Sequence, residues 1–375
     1  MSVTRYLYAF IILIAWYGCK TKTEISQTDP VKLSLTFEGK ASMPNVVLVS
    51  GDEEYRSEEA LPQLAKILSS THGFNCTVLF AQDPKKPGII NPNYVQNIPG
   101  LENLKTADLM VIFTRFRALP DEQMKYIDDY LKSGKPVIGI RTATHAFNFS
   151  EIDSTSKWKH YGNFYEGDDE WKDGFGRLVL GEKWISHHGD HRHQSTRGFT
   201  APGAEKHTIL SGISPGDIWG PTDVYGVRLP LPGDAQPIVL GQVINRAGEY
   251  REDDPLYGMR FTDNEVAGVD TEKDENGKQI EINRNDPMMP VAWTKTYQIP
   301  GGQKGKVFTT TIGASTDLLT EGTRRMIVNS VFWCLDLKVP EKANVVIIGD
   351  YRPSPFAFKK ENYWADKNLS VSSLQ

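Results

Sequence analysis

Apolar runs of strand length alternate with helix-period segments through the N-terminal half of the chain, and this alternation is the strongest restriction on its fold. Strands are predicted at 45–50, 76–80, 108–114 and 136–140, and helices at 58–71 and 120–133. Gly73 and Gly134 follow the two helical segments and provide the usual helix stop. Strands separated by helices at this spacing pair in parallel through right-handed crossovers. The sequence therefore predicts an α/β fold with a doubly wound, mainly parallel sheet.

The second half of the chain has shorter strands, separated by Pro- and Gly-containing turns. We predict strands at 237–244, 290–297 and 306–312, followed by an amphipathic helix at 320–336. Residues 246–286 are highly charged and contain few apolar side chains, which is typical of a surface insertion. These boundaries predict one α/β domain over residues 44–338, with insertions, and a C-terminal extension over 339–375.

The N-terminus has the pattern of an export signal. Arg5 precedes an apolar run over residues 6–17, which ends in Gly18 and Cys19. Such a run is short for a membrane span and typical of a secretory signal. A small residue followed by cysteine resembles a bacterial lipoprotein signal, so we predict a signal peptide over 1–19, a lipid on Cys19 and a flexible tether over 20–43. An uncleaved anchor is the alternative, and either reading places the folded part in the periplasm or at the cell surface, with an N-terminal anchor as its only membrane contact.

Charge and cysteine content narrow the possible partners. The 42 basic residues are outnumbered by 47 acidic residues, and the formal net charge is −5. This balance gives no indication of a nucleic-acid partner. Cys76 and Cys334 each lie among apolar residues, so we expect buried free thiols rather than a disulfide framework. The sequence does not indicate an oligomeric state.

Half of the eight histidines lie within seven residues, in a polar segment over 186–198 that is predicted to be a loop. They are His187, His188, His191 and His193. Histidine is the side chain that most often binds metals and titrates near neutrality. The spacing does not match a zinc signature such as His-Glu-x-x-His. The cluster thus marks candidate ligands for a divalent metal such as zinc, or a solvated loop without a role.

Four polar loops follow the predicted parallel strands, at 51–56, 115–117, 141–145 and 313–316. Ligands of open parallel sheets bind beyond the carboxyl ends of the strands. The loop after the fourth strand contains neither cysteine nor a Gly-x-Ser-x-Gly elbow, so covalent acyl chemistry is not expected. No Gly-x-Gly-x-x-Gly follows the first strand, which argues against a dinucleotide cofactor.

Candidate functional residues come from these loops and the histidine segment. The candidates for acid/base catalysis are His145, His188, Glu54 and Asp223. The candidates for substrate binding are Arg117, Arg141, Thr142, Tyr55, Trp158 and Tyr161. Each has a structural alternative: a hydrogen-bonded structural histidine, arginines paired with the acidic residues of 52–54, and aromatic rings that fill the core.

Several segments, in the same order along the chain, resemble the trehalose-utilisation (ThuA-like) domain family. The run from Ile138 to Phe147 reads Ile-Gly-Ile-Arg-Thr-Ala-Thr-His-Ala-Phe and is followed by Trp158, Tyr161 and Gly162. Further resemblance lies at 207–213, 222–225, 290–294 and 305–308. The resemblance covers about 45–337, nearly all of the predicted domain.

The resemblance implies a flavodoxin-like sheet similar to that of class I glutamine amidotransferases. Members of the family lack the amidotransferase cysteine, as this chain does, so it is not expected to be a glutamine amidotransferase. The family is associated with the use of trehalose, other disaccharides and oxidised keto-sugars. One departure matters: the family's His-Gly-Ala-Thr-His turn begins here with Arg141, which can bind charge but cannot shuttle protons.

The sequence and the resemblance together predict an exported carbohydrate-catabolism protein. We expect it to act on a disaccharide or keto-sugar by acid/base chemistry in a cleft at the strand ends, with isomerase, lyase and hydrolase reactions all open. Two alternatives remain, a non-catalytic carbohydrate-binding lipoprotein and a metal-dependent hydrolase that uses the histidines of 187–193.

Overall fold

The computed structural model describes residues 30–273 and 276–375. The predicted signal peptide, Cys19 and the first part of the predicted tether lie outside the described residues. Within those two ranges, no helix combines the length and the apolar character needed to cross a bilayer.

The described chain forms a mixed α/β structure. Its strands are β1 (Ser34–Phe37), β2 (Asn45–Gly51), β3 (Asn75–Phe80), β4 (Leu109–Thr114), β5 (Val137–Ile140), β6 (Gln194–Thr200), β7 (Ile218–Gly220), β8 (Gln236–Asn245), β9 (Glu265–Val266), β10 (Val269–Lys273), β11 (Gln279–Asn283), β12 (Met289–Tyr297) and β13 (Gly305–Thr310). Its α-helices are α1 (Ser57–His72), α2 (Asp121–Lys132), α3 (Glu321–Cys334) and α4 (Glu361–Lys367).

One large sheet organises the molecule, in the order β1-β3-β2-β4-β5-β13-β12-β8-β6-β7, with β9 paired to β8. Strands β3, β2, β4, β5 and β13 are parallel to one another. By position in the chain, these five have the order 2-1-3-4-5. Strands β12, β8, β6 and β7 continue the sheet in antiparallel pairing, and β1 pairs antiparallel to β3 at the other edge. A separate hairpin joins β10 to β11.

Helices cover both faces of the parallel half because its strands are apolar on both sides. Leu48 of β2 and Val111 of β4 belong to a buried cluster with α1 and α3. Their chain neighbours, Val49 and Ile112, point to the opposite face and belong to a second cluster, with α2. This alternation follows from the two-residue period of a strand. The predicted α/β class and mainly parallel central strands are confirmed.

Part of the predicted tether is a strand, which corrects the expectation of a flexible linker over 20–43. β1 pairs with β3 over four residues, and the Leu35 side chain of β1 is buried. The side-chain amide of Gln82 also donates to the Leu33 carbonyl, at 2.7 Å. The buried leucine and the strand pairing hold this segment on the sheet. The histidine-rich segment is likewise only partly a loop, since β6 begins at Gln194.

The C-terminal extension packs onto the body of the protein. Its buried side chains are Ala343, Val345, Phe356, Trp364 and Val371. Residues Lys32–Gln375 accordingly form one compact unit, longer at both ends than the predicted 44–338 domain. The charged insertion over 246–286 also contributes to the core, through the buried Tyr257 and Met259.

Candidate functional site

The loops that follow the parallel strands contain three non-glycine residues with left-handed backbone. They are Arg56 after β2 (φ 61°), Phe116 after β4 (φ 49°) and Arg141 after β5 (φ 48°). Arg192, in the histidine segment, is a fourth (φ 65°). Such conformations are unfavourable for L-residues and persist where the surroundings impose them, often at functional sites. This concentration marks the carboxyl ends of the strands as the candidate site.

Arg141 and Asp223 form a fully buried ion pair at its centre. Nη2 of Arg141 donates to Oδ1 of Asp223 at 2.9 Å, and Nη1 donates to the backbone carbonyls of Asp223 and Thr311 at 2.7 and 2.6 Å. The guanidinium also lies over the rings of Tyr225 and Tyr55, at 3.7 and 4.4 Å from their centroids. These contacts make Arg141 a fixed positive charge that holds Asp223 in place.

Asp223 also accepts hydrogen bonds from two histidines. Nδ1 of His187 lies 2.6 Å from Oδ2, and Nδ1 of His191 lies 3.1 Å from Oδ1. Burial alone would raise the pKa of Asp223, but the Arg141 charge and the two histidine hydrogen bonds hold it well below its usual range. Because the carboxylate is ionised, both Nδ1 atoms donate to it, and in a neutral ring Nε2 is then the nitrogen that can accept a proton. About a third of the His187 side chain is exposed, so its ring can reach a ligand.

Glu54 adjoins this group through His191. Its Oε1 lies 3.4 Å from Nε2 of His191, and its Oε2 lies 3.8 Å from Nε of Arg115. Burial, reinforced by the nearby charge of Asp52, raises the pKa of Glu54 to about 8. The Glu54 carboxyl therefore carries a proton at neutral pH and can donate it.

Asp52 fixes the loop that carries Glu54. Its Oδ1 accepts the backbone N–H groups of Glu54, at 2.8 Å, and of Tyr55. Its Oδ2 accepts the Thr142 hydroxyl at 2.5 Å. Thr142, predicted to bind substrate, is thus a link between the loops after β2 and β5, and both Thr142 and Tyr55 are fully buried.

His145 lies beside His187 in an aromatic setting. Its ring centroid is 5.0 Å from that of Phe116, 5.3 Å from Trp184 and 6.2 Å from Tyr225. His187 contacts the same Trp184 and Tyr225 rings, at 5.9 and 5.6 Å. Burial, together with the Arg115 and Arg141 charges, lowers the pKa of His145 well below its usual range, so the ring is neutral at physiological pH.

The other two histidines of the cluster contact the charged insertion. Nε2 of His188 donates to the Arg284 carbonyl at 2.9 Å, and Arg284 donates back to the His188 carbonyl. Nδ1 of His193 accepts from Nη1 of Arg246 at 3.1 Å, and its ring stacks on Tyr250. Neither His188 nor His193 is hydrogen-bonded to Asp223, so the contacts of these two side chains do not support their predicted roles in proton transfer or metal binding.

Three further predicted substrate-binding residues, Arg117, Trp158 and Tyr161, also have internal contacts. Arg117 is fully buried and donates to Glu53 at 2.6 Å and to the Pro92 carbonyl at 2.7 Å, which is the ion-pair alternative that its sequence allowed. Trp158 and Tyr161 pack in the core on the α2 face, where the Tyr161 hydroxyl donates to Asp128 at 2.9 Å. The structure does not bring these aromatic rings to the Asp223 group.

The C-terminal extension supplies contacts that the sequence analysis missed. Phe356 stacks on Tyr55 at 5.3 Å between centroids and meets the His191 ring edge at 5.4 Å. The next residue, Ala357, donates its backbone N–H to the Glu54 carbonyl at 3.0 Å. No helical or strand period in the sequence marks this segment, because its buried residues are widely spaced along the chain.

No family model matches the chain, and no curated protein matches it in sequence. A solved structure of a ThuA-like protein from Parabacteroides merdae ATCC 43184 has 13% identity and a TM-score of 0.43, and the alignment covers 86% of this chain and 99% of that one. One from Bacteroides uniformis ATCC 8492 has 13% identity, a TM-score of 0.41 and coverages of 79% and 93%.

An exo-β-1,4-mannosidase from Opitutaceae bacterium strain TAV5 is more distant, with 8% identity, a TM-score of 0.27 and coverages of 78% of this chain and 36% of that one. The chain is similar over most of its length to two structures of ThuA-like proteins, and this is the family that its sequence motifs resemble.

Proposed function

We propose that the protein is an exported carbohydrate-catabolism enzyme that acts on a disaccharide or keto-sugar by acid/base chemistry at the strand ends. The substrate class comes from the resemblance of the chain's motifs to the ThuA-like family. The chemistry is carried by one observation: a buried carboxylate, Asp223, orients two imidazoles, one of which lies 3.4 Å from Glu54. Burial raises the pKa of Glu54 to about 8, which favours its protonated form at neutral pH. Residues with opposite protonation states in one site form an acid/base pair.

His187 is our candidate base. Asp223 fixes its tautomer and stabilises the positive charge that its ring gains when Nε2 accepts a proton. Glu54 is the candidate acid, which donates its proton to a substrate oxygen. His145, neutral and close to the same Trp184 and Tyr225 rings, is the second candidate proton carrier.

We also assign the parallel half to the flavodoxin-like, doubly wound class. Its strand order is 2-1-3-4-5, and its helices lie on both faces of the sheet. Export and a lipid on Cys19 remain part of the proposal, and labelling of the expressed full chain with a radioactive fatty acid, against a Cys19→Ala variant, tests them.

The test of function is a turnover assay on the domain that starts after Cys19. The substrates are trehalose, maltose, cellobiose, lactose and their keto forms, with products followed by NMR. We expect turnover by wild type and a loss of at least a hundredfold in His187→Ala and His145→Ala, in line with the usual contribution of general acid/base groups. His72→Ala is the matched control, because that histidine contacts the Asn344 carbonyl, away from Asp223. Full turnover in His187→Ala would refute the assignment, and binding without product would indicate a carbohydrate-binding protein.

A metal-dependent hydrolase is the second candidate, because His187, His191 and Asp223 could hold one ion. One ligand atom from each lies within 4.8 Å of the others. Zinc takes nitrogen and carboxylate ligands at about 2.0–2.2 Å, and a site with three protein ligands leaves a position for an activated water. Small shifts of the two imidazole rings would bring the three ligand atoms within reach of one ion.

Elemental mass spectrometry of domain purified without a histidine tag, before and after chelator dialysis, distinguishes the two candidates. Near one zinc or manganese per chain, lost in His187→Ala and His191→Ala, would support metal chemistry. Metal far below one per chain would favour the metal-free acid/base reaction.

A further inference from the structure

We propose that four side chains at the edge of the site, Phe164, Phe116, Arg115 and Phe358, form a platform that binds the second sugar ring of a disaccharide. We call these four residues the aromatic rim. The inference rests on the proposed function and specifies where the non-reacting ring of the substrate lies.

The four side chains are continuous in space, although they come from three separate parts of the chain. The ring centroids of Phe116 and Phe164 are 5.5 Å apart. The Arg115 guanidinium lies 4.5 Å from the Phe116 centroid and 4.7 Å from the Phe358 centroid. The rim therefore spans the loop after β4, the segment after β5 and the C-terminal extension.

The aromatic rim adjoins the candidate proton-transfer residues. Phe116 lies 5.0 Å from the His145 ring, and its left-handed backbone is held by its N–H donating to the His145 carbonyl at 2.9 Å. Arg115 pairs with Glu53 and lies 3.8 Å from Glu54. A disaccharide with its reacting bond near Glu54 and His145 would place its other sugar ring on the aromatic rim.

The two end members of the rim are exposed, although they are phenylalanines. Phe164 is 52% exposed and Phe358 is 53% exposed. Between them, Arg115 and Glu53 provide charged hydrogen-bonding groups. A pyranose has an apolar C–H face and a hydroxyl-bearing edge, and sites for such ligands combine aromatic faces with a few fixed polar groups. The interleaving of phenyl rings with an arginine and a carboxylate favours a sugar over a wholly apolar occupant.

The test is calorimetric titration of the domain that starts after Cys19 with trehalose, maltose, cellobiose and glucose. We expect Phe164→Ala and Phe358→Ala each to weaken binding of the preferred disaccharide about tenfold, with glucose binding unchanged, since one aromatic contact contributes roughly that factor. Phe164→Tyr and Phe358→Tyr should retain binding. The matched control is Phe261→Ala, which removes a similarly exposed ring (48%) with the Arg197 guanidinium 5.5 Å from its centroid.

The outcomes separate the rim from the function on which it rests. Unchanged disaccharide affinity in both alanine variants would overturn the inference and leave the proposed function standing. Equal losses for glucose and for disaccharide would also overturn it, because the rim would then not be a second-ring site. A wild-type protein that neither binds nor converts any sugar or keto-sugar of the panels would overturn the proposed function and the rim together.

Discussion

Asp223 is the carboxylate at the centre of the candidate site. It is completely buried, and it joins Arg141, His187 and His191 through hydrogen bonds of 2.6 to 3.1 Å. Each carboxylate oxygen accepts a hydrogen bond from one histidine. Replacing either oxygen with an N–H donor would remove that acceptor and change the orientation of the histidine ring. The residue therefore links the stability of the protein to its chemistry.

We predict that Asp223→Asn both destabilises and inactivates the protein. The substitution removes the carboxylate that is paired with the buried Arg141 charge, which costs about 3–5 kcal/mol. Urea unfolding followed by circular dichroism measures this loss. The matched control is Asp253→Asn, which breaks an exposed pair with Arg251 (3.1 Å) and should leave the free energy of unfolding nearly unchanged, since solvent screens such pairs. Equal free energies of unfolding for the two variants would show that the buried pair has no special role.

Glu58, at the start of α1, gives a prediction on pH. It is fully buried, its carboxylate oxygens have no hydrogen-bond partner among the described residues, and Nη1 of Arg56 lies 3.9 Å away. Burial raises its pKa to about 7, despite the opposing charge of Arg56. The folded protein thus binds this proton more tightly than the unfolded chain does, so its contribution to stability is full below about pH 4.5 and is lost as the pH rises through about 7.

Glu58→Gln, which cannot ionise, should remove this pH dependence. We expect the free energy of unfolding of the variant, relative to wild type, to increase between pH 4.5 and 8, as measured by urea titrations across that range. Glu122→Gln replaces an exposed glutamate in the first turn of α2 and is the control. A constant difference between Glu58→Gln and wild type at all pH values would contradict the prediction.

At the scale of elements, the C-terminal extension forms a wall of the site. Phe356 contacts Tyr55 and His191, and the Tyr257 hydroxyl donates to the Phe356 carbonyl. Nη2 of Arg56 donates to the Ala357 carbonyl at 2.6 Å. These contacts fix the segment against the loop after β2, so the extension positions residues that belong to the candidate chemistry.

Phe356→Ala should therefore reduce turnover beyond its effect on stability. Removing a buried phenyl ring costs about 3–5 kcal/mol. Phe74→Ala removes another fully buried ring, which packs on Phe332 away from the site, and should cost a similar amount. Urea unfolding and kcat at a temperature at which both variants are folded give the comparison. Equal kcat values in the two variants would show that Phe356 contributes to packing alone and does not position the candidate site.

The elements of the parallel half could be predicted from the sequence because each signal is local. The apolar run of β2 and the glycine after α1 identify their elements without any distant partner. The C-terminal extension had no such signal, because its buried residues, such as Val345, Phe356 and Val371, are too widely spaced to form a helical or strand period. The strand-end loops could be predicted as the site, but the pairing of Asp223 with His187, 36 residues away, depends on how β6, β7 and β8 pack.

At the scale of the whole molecule, the candidate site joins parts that are distant along the chain. Glu54 and Arg141 follow strands of the parallel half, whereas the histidines and Asp223 flank β6 and β7 of the antiparallel half. Phe356 adds the C-terminal extension. His187 and Asp223 are 36 residues apart in the chain and meet only in the folded protein, so a ligand that binds His187, His191 and Asp223 together should raise the stability of the entire domain.

This gives a prediction for the metal candidate. If zinc or manganese binds the folded protein alone, a free concentration of 100 times Kd adds about 2.7 kcal/mol to the free energy of unfolding. For a domain of this size, we expect Tm to rise by roughly a few degrees, as measured by calorimetry with and without the ion. His187→Ala should abolish the shift, and His72→Ala should keep it. An identical Tm with and without either metal would exclude tight binding by the histidines and Asp223, and would leave the reaction to Glu54, His145 and His187 as proton carriers.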